Sequence, residues 1–338
     1  MSSETSVLTV SDLDVRIRAR AGVVQAVRGV SLAIEAGSTL ALVGESGCGK
    51  SMTALAIAGL LPAAAAVSGG QIALRGRRLD QLSEAEWRRV RGAEIGMVFQ
   101  NPMTSLNPTM RVGEQIAESL VVHRGMSAGD ALAQAVRLLE RMRIPRAAER
   151  ARQYPFEFSG GMLQRALIAL AVACEPVLLI ADEPTTALDV TVQREVLGLL
   201  RELQRERGMA LLLITHDLGV VAQMAARVAV MYAGQIIEHG TADDIFFATA
   251  HPYTSGLKQA LPERHQRGQG LRVIKGAPPD LLHPPSGCGF YARCEHAMRV
   301  CAEGAVPEFR AGADHGGRCW LLHPQVQKPI ECEDGGHE

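Results

Sequence analysis

Gly44-Glu45-Ser46-Gly47-Cys48-Gly49-Lys50-Ser51 fits the pattern G-x-x-x-x-G-K-S, and its flanks fit as well. Residues 39–43 upstream form an apolar run of strand length, and residues 52–61 downstream read as a helix. A buried strand, a glycine-rich turn and a helix N-terminus in that order make a cradle for phosphate. The glycines let backbone N–H groups converge, and the helix start adds positive potential. Lys50 brings a compact charge to the β- and γ-phosphates, where a planar guanidinium would be too wide. Ser51 offers its hydroxyl to Mg²⁺. Lys and Arg together number 35, yet the lysines are only Lys50, Lys258, Lys275 and Lys328. In a chain so biased to arginine, Lys50 fills a place that arginine cannot.

The 338 residues are enough for one large domain and a small one, and the 47% hydrophobic content supports a sizeable core. A net charge of −1 gives no electrostatic argument for a nucleic-acid partner. No apolar run reaches the roughly 18 residues of a membrane span. Residues 1–10 lack the basic and apolar stretches of a secretory leader, so a cytoplasmic chain is expected. Its 7 cysteines are then expected as thiols or metal ligands, not disulfides.

The pattern along the chain predicts an α/β fold. Val15 and Ile17 alternate with Arg16 and Arg18, which predicts an antiparallel β layer over residues 7–38. Strand-like pieces return over 70–100. The Ala63–Ala66 run reads as a small-residue turn or helix end. Residues 101–158 read as a helical insertion, with Leu132, Ala135, Val136, Leu139 and Met142 at helical spacing. Another helix spans 159–174. Residues 177–181 and 210–214 are continuous apolar runs, as in parallel strands buried on both faces. A Pro-, Gly- and Cys-rich region begins near His251. The expected division is a large α/β domain over 1–250 and a C-terminal region over 251–338.

Asp182 and Glu183 follow the 177–181 run, at the strand end where open α/β sheets bind ligands. Two carboxylates beside a polyphosphate imply Mg²⁺, with Asp182 placed to hold it and Glu183 to polarise the attacking water. Gln100 ends another strand and could reach a metal or water. His216 follows the 210–214 run; a lone His is more often structural than catalytic, but its strand-end place favours the site. Ser159-Gly160-Gly161 opens a helix with a Ser cap and bare N–H groups, a second anion site distinct from the first.

The ordered set GESGCGKS, VFQ, SGGMLQR, VLLIADEPTTALD and ITHD resembles the nucleotide-binding subunit of an ABC transporter, over about residues 7–250. The resemblance implies a P-loop NTPase core with a mostly parallel sheet, an N-terminal antiparallel β layer, an inserted helical subdomain and a small Cys-rich C-terminal region. It implies that Gly44, Glu45, Ser46, Gly47, Cys48, Gly49, Lys50 and Ser51 form the Walker A loop and that Gln100 is the Q-loop glutamine. Ser159, Gly160, Gly161 and Gln164 become signature residues, Asp182 the Walker B aspartate and Glu183 the catalytic glutamate. Ala187-Leu188-Asp189 becomes the D-loop, with Asp189 near the nucleotide, and His216 the switch histidine. In that family the signature of one subunit closes on ATP held by another. ATP and Mg²⁺ are thus the expected ligands, with Mg²⁺ near Ser51, Gln100 and Asp182.

Asn101-Pro102-Met103-Thr104-Ser105-Leu106-Asn107-Pro108, the string His251-Pro252-Tyr253-Thr254 and the Cys-rich tail are similar to the oligopeptide/dipeptide importer branch. That branch implies a second, different ATPase subunit, two transmembrane permease subunits and, indirectly, a periplasmic solute-binding protein. The chain would then sit peripherally on the cytoplasmic face of the inner membrane. Importers of nickel, glutathione and opines share the architecture; a soluble non-transport ABC ATPase is the rival, lacking here the expected basic face or coiled-coil segments. One departure stands out: no Phe, Tyr or Trp precedes Trp87, so the family's usual aromatic platform for adenine is missing. Arg18 or Arg20 is the expected substitute.

Cys288, Cys294, Cys301 and Cys319 lie at C-x5-C-x6-C-x17-C, without the C-x-x-C knuckles of structural zinc sites. Four thiolates suit zinc or an iron–sulfur cluster, and plain buried thiols are the third alternative. Similar tails in some dipeptide-importer ATPases carry a [4Fe-4S] cluster, which the resemblance implies here. Cys48 and Cys174 are not expected as ligands, and Cys332 is expected free.

Overall fold

The computed structural model describes residues 6–186, 188–260 and 273–326. Ala187 of the expected D-loop, and Cys332, lie outside the described residues. The strands are β1 (Ser6–Ala19), β2 (Gly22–Glu35), β3 (Thr39–Val43), β4 (Ala65–Leu74), β5 (Arg77–Arg78), β6 (Ile95–Val98), β7 (Leu178–Asp182), β8 (Ala210–Thr215), β9 (Arg227–Tyr232), β10 (Gln235–Thr241), β11 (Phe309–Arg310) and β12 (Gly316–Gly317). The helices are α1 (Lys50–Ile57), α2 (Glu84–Val90), α3 (Pro102–Ser105), α4 (Val112–Arg124), α5 (Ala128–Arg141), α6 (Ala147–Arg150), α7 (Gly160–Val172), α8 (Val190–Arg207), α9 (Leu218–Met224), α10 (Ala242–Phe247) and α11 (Pro252–Gln259).

Two sheets organise these elements. β2-β1-β4-β5 is antiparallel, as the alternation of Val15 and Ile17 with arginines predicts. The second sheet runs β11-β12-β10-β9-β3-β8-β7-β6. Its β9-β3-β8-β7-β6 portion is parallel. All residues of β3, β7 and β8 are buried, which is why these strands read as unbroken apolar runs. Apolar residues of both sheets and α1 share one core, so the antiparallel layer packs directly over the strand that carries the glycine-rich loop.

The helical insertion over 101–158 is present as α3, α4 and α5 with the short α6, packed with α7 into a second core. The buried stripe of α5 and its C-cap keeps three of the five expected residues, with Val136 only half-buried. Ala131, Ala135, Leu138, Leu139 and Met142 are buried, while Leu132 is exposed. Helix ends follow their capping chemistry. Ser127 caps α5 by accepting from the Asp130 N–H, and Gly125 and Gly208 close α4 and α8 in the left-handed conformation. The Ala63–Ala66 reading needs correction in its second half: a turn ends at Ala64 and β4 already begins at Ala65, because pairing with Ile17 of β1 overrides alanine's weak strand preference.

The C-terminal region does not stand apart from the large sheet. β12 pairs with β10, placing Gly317 opposite Glu238 and Gly316 opposite His239, and β11 pairs with β12. Glu238 has no exposed surface, and its carboxylate gathers three donors: the N–H groups of Ala250 (2.7 Å) and His251 (3.0 Å) and the ring of His315 (2.9 Å). No helix among the described residues is long and apolar enough to cross a membrane.

Candidate functional site

The C-terminal ends of β3, β7 and β8, with Gln100 just beyond β6, form one edge of the parallel sheet. The loop after β3 is shaped by its glycines. A Cβ on Gly44 would lie 2.1 Å from the Met231 carbonyl oxygen, and one on Gly49 would lie 2.4 Å from that of Ala26. No side chain fits either place, and φ is positive at both. Lys50 opens α1 and is only 6% exposed. Its Nζ donates to the carbonyls of Gly44 (2.7 Å) and Glu45 (2.9 Å) and lies 3.8 Å from Cys48 Sγ. Burial pushes the Cys48 thiol up, partly offset by Lys50, so it is a packing residue of the loop and not a nucleophile.

Asp182 ends β7 buried. Desolvation pushes its carboxyl above the ordinary range; a hydrogen bond with the Ser51 side chain and the charge of Lys50 oppose this. Its Oδ1 is buried without a hydrogen-bond partner. An orphaned carboxylate oxygen beside a serine hydroxyl is a donor set suited to a hard divalent cation such as Mg²⁺.

Glu183 collects three contacts. Gln100 Nε2 donates to Oε2 at 2.8 Å, Thr186 Oγ1 donates to Oε2 at 2.9 Å, and His216 Nδ1 lies 3.0 Å from Oε1. Burial pushes its carboxyl up, but the hydrogen bonds from His216 and Thr186 and the charges of His216 and Lys50 outweigh this and hold it below the usual carboxylate range. A base kept ionised and oriented from three sides can polarise water. Gln100, His216 and Glu183 are thus one constellation, with Thr186 as a member that the sequence motifs did not single out. Its signal was available: a hydroxyl three residues past a strand-end carboxylate.

The signature residues lie elsewhere. Ser159 caps α7, its Oγ accepting from the Met162 N–H, and Gly160 is exposed with nothing near its Cα that a side chain would meet. No described hydrogen bond or ion pair joins Ser159, Gly160 or Gly161 to the Lys50–Glu183 group. Gln164 is 2% exposed within α7, and Asp189 uses its Oδ1 to cap α8 through the N–H groups of Thr191 and Val192, both at 3.0 Å. Arg18 and Arg20, the residues expected to take the place of an aromatic platform, are exposed on the β1–β2 hairpin. The chain at 281–285 lies against β2: the Gln25 N–H donates to the Leu281 carbonyl at 2.9 Å, and Arg28 Nη2 to that of Pro285 at 3.1 Å.

Cys288, Cys294, Cys301 and Cys319 line one pocket together with His251 and Trp320. Burial pushes the thiols of Cys288 and Cys294 up, and that of Cys319 up to about 12, with the other three thiols adding to the effect on Cys319. His251 Nδ1 accepts from the Tyr253 N–H at 3.0 Å, which places its proton on Nε2; burial lowers its pKa to about 4 and keeps the ring neutral. That Nε2 and Trp320 Nε1 are both buried without partners. Among the described residues no three His, Cys, Asp or Glu side chains are gathered so as to hold a single metal ion. The four thiols thus share one pocket with two orphaned N–H donors.

Comparison with known proteins agrees with this geometry. Residues 27–186 match the family model for ABC transporters, and residues 237–301 match that for the oligopeptide/dipeptide transporter C-terminal region. The chain is 51% identical to the dipeptide transport ATP-binding protein DppD of Bacillus subtilis, over 96% of this chain and 97% of that one. It is 48% identical to the oligopeptide transport ATP-binding protein OppD of Escherichia coli, over 91% of each. Among solved structures, the dimeric bacterial ABC transporter cassette MJ0796 superposes with a TM-score of 0.63 at 26% identity, covering 70% of this chain and 98% of that one. The same cassette in a post-hydrolysis state bound to ADP and Pi gives the same values.

Proposed function

From the premise that the chain belongs to the ABC transporter ATP-binding family, in its oligopeptide and dipeptide branch, we propose that it is the ATP-hydrolysing subunit that powers a peptide importer of the inner membrane. The observation that carries the reading is Glu183, held ionised by His216, Thr186 and the Lys50 charge and oriented by Gln100, at the sheet edge that also bears Lys50, Ser51 and Asp182. Residues 44–51 cradle the phosphates through backbone N–H groups. Lys50 leaves the carbonyls of Gly44 and Glu45 for the β- and γ-phosphates. Ser51 and Asp182 would hold Mg²⁺, which when bound supplies positive charge to the phosphate oxygens. Glu183 orients water for in-line attack and takes its proton, with His216 and Gln100 fixing the carboxylate. Glu183→Gln should bind Mg-ATP as the native chain does but hydrolyse it about a hundredfold more slowly or worse. Retained hydrolysis would assign the base elsewhere.

Ser159, Gly160 and Gly161 are proposed to complete the ATP site of a second ATPase subunit, a different chain, in head-to-tail fashion. The dimeric form of the related cassette MJ0796 supports this arrangement. Two transmembrane permease subunits would receive the closure through the helical insertion beside Gln100, and a periplasmic solute-binding protein would feed them. Residues 1–250 are proposed as the ATPase domain and residues 251–338 as the branch-specific region. The four thiols are proposed to ligate a [4Fe-4S] cluster, with His251 Nε2 and Trp320 Nε1 free to donate to its sulfides. Anaerobically purified chain should absorb in the visible and contain iron; iron-free, colourless chain of native stability would reject the cluster.

A further inference from the structure

Glu45 is held at three of its groups at once. Its N–H donates to Tyr253 Oη at 2.8 Å, and its carbonyl accepts from Lys50 Nζ at 2.9 Å. Its carboxylate receives a bidentate pair from Arg293, Nη1 to Oε2 at 2.8 Å and Nη2 to Oε1 at 3.1 Å. Arg293 lies in the 3₁₀ turn Tyr291–Arg293, between Cys288 and Cys294 of the thiol pocket. Its other donors are also used, on Tyr232 Oη (3.1 Å) and on the carbonyls of Ile274 (3.2 Å) and Lys275 (3.0 Å). The guanidinium stands 5.8 Å from the ring centres of both Tyr232 and Phe290. The pair is not a surface ion pair of negligible worth. The Arg293 side chain is 6% exposed and that of Glu45 25%, and the fork geometry leaves the guanidinium little freedom.

The chemistry of the loop gives this pair a purpose. A phosphate cradle gathers positive potential for a polyanion, and Glu45 puts a carboxylate in that same loop. Unpaired, it would repel the phosphates and draw Lys50, whose Nζ already rests on the Glu45 carbonyl. Resting on the reading of residues 44–51 as the ATP cradle, we propose that Arg293 is a positioning residue for nucleotide binding. It cancels the Glu45 charge and, with Tyr253, fixes the shape of the loop from the C-terminal region.

The test is titration of full-length chain with Mg-ATP, Mg-ADP and AMP, at low and high salt. The variants are Arg293→Ala, Arg293→Lys, Glu45→Gln, the Arg293→Ala/Glu45→Gln double and Lys50→Ala. Arg293→Ala should weaken Mg-ATP binding by about tenfold, as expected when one partner of a desolvated charge pair is left alone. The loss should be smaller for AMP and should shrink at high salt. Arg293→Lys should lie between. Adding Glu45→Gln should recover most of the affinity, which it could not do if Arg293 served only to fold the region. An Arg293→Ala affinity within about twofold of native, or an equal loss for all three nucleotides that Glu45→Gln leaves unrepaired, would overturn the proposal. Should Arg293→Ala not fold, the Lys variant and the double carry the same comparison. Lys50→Ala separates the premises: if it binds Mg-ATP normally the cradle reading fails, and if it loses ATP while Arg293→Ala does not, only the role of Arg293 fails.

Discussion

Glu183 adopts φ of 48°, a left-handed conformation that residues with a side chain seldom take. Its N–H donates to the Ile214 carbonyl at 2.9 Å, so the neighbouring strand β8 helps hold it there. If Glu183 is the base, as proposed, the hydrogen bonds that lower its pKa should set the acid side of the pH profile of hydrolysis. They favour the ionised form, so hydrolysis should persist below the ordinary carboxylate range and fall as pH drops through the lowered pKa of Glu183. Thr186→Val removes one donor, so the acid limb of kcat should move to higher pH; an unmoved limb would show that Thr186 does not tune the base. Lys50, Asp182 and His216 were legible in the sequence because each follows an apolar run at a fixed offset. Tyr253 and Arg293 were not. They meet Glu45 across 208 and 248 residues, and nothing local in the chain announces a contact of that separation.

Among elements, legibility followed length and burial. β3, β7 and β8 could be read because both their faces are buried, and α7 because its apolar residues recur at helical spacing. The α5 stripe was misplaced at Leu132 because leucine is apolar on any face, whereas small Ala131 is the one that fits between helices. β11 and β12 escaped notice because two-residue strands carry no period, and Gly316-Gly317 reads as a turn. What anchors them is Glu238, and its loss should be felt throughout the junction. Glu238→Leu would leave the buried N–H groups of Ala250 and His251 and the His315 ring without their acceptor. A loss of about 3 kcal/mol is expected in denaturant unfolding. A midpoint unchanged from native would mean that water replaces the carboxylate.

For the whole molecule, the two proposed anion sites are carried by different elements. Lys50 and Glu183 face the edge of the large sheet, while Ser159 opens α7 from the helical side. On the proposed head-to-tail pairing, one chain would offer half of each of two nucleotide sites. Glu183→Gln mixed with its partner ATPase subunit and Mg-ATP should elute as a pair, and adding Ser159→Arg to that chain should weaken pairing without changing its own ATP affinity. Equal pairing in both would remove the signature from the interface. The order of motifs along the chain is what suggests this arrangement. The packing of residues 281–285 against the β1–β2 hairpin was not readable, because they come from the far end of the sequence.

The pairing of β12 with β10 also bears on how the chain can be divided. A fragment ending at Ala250 keeps every nucleotide motif, yet it uncovers β10 on the side that Gly316 and Gly317 occupy, with Ile236 and Ile237 in that strand. An uncovered edge bearing apolar residues is a template for joining another chain. The C-terminal region would thus also guard against self-association, and clumping of such a fragment would report the bare strand, separately from any loss of ATP affinity that follows from removing Tyr253 and Arg293.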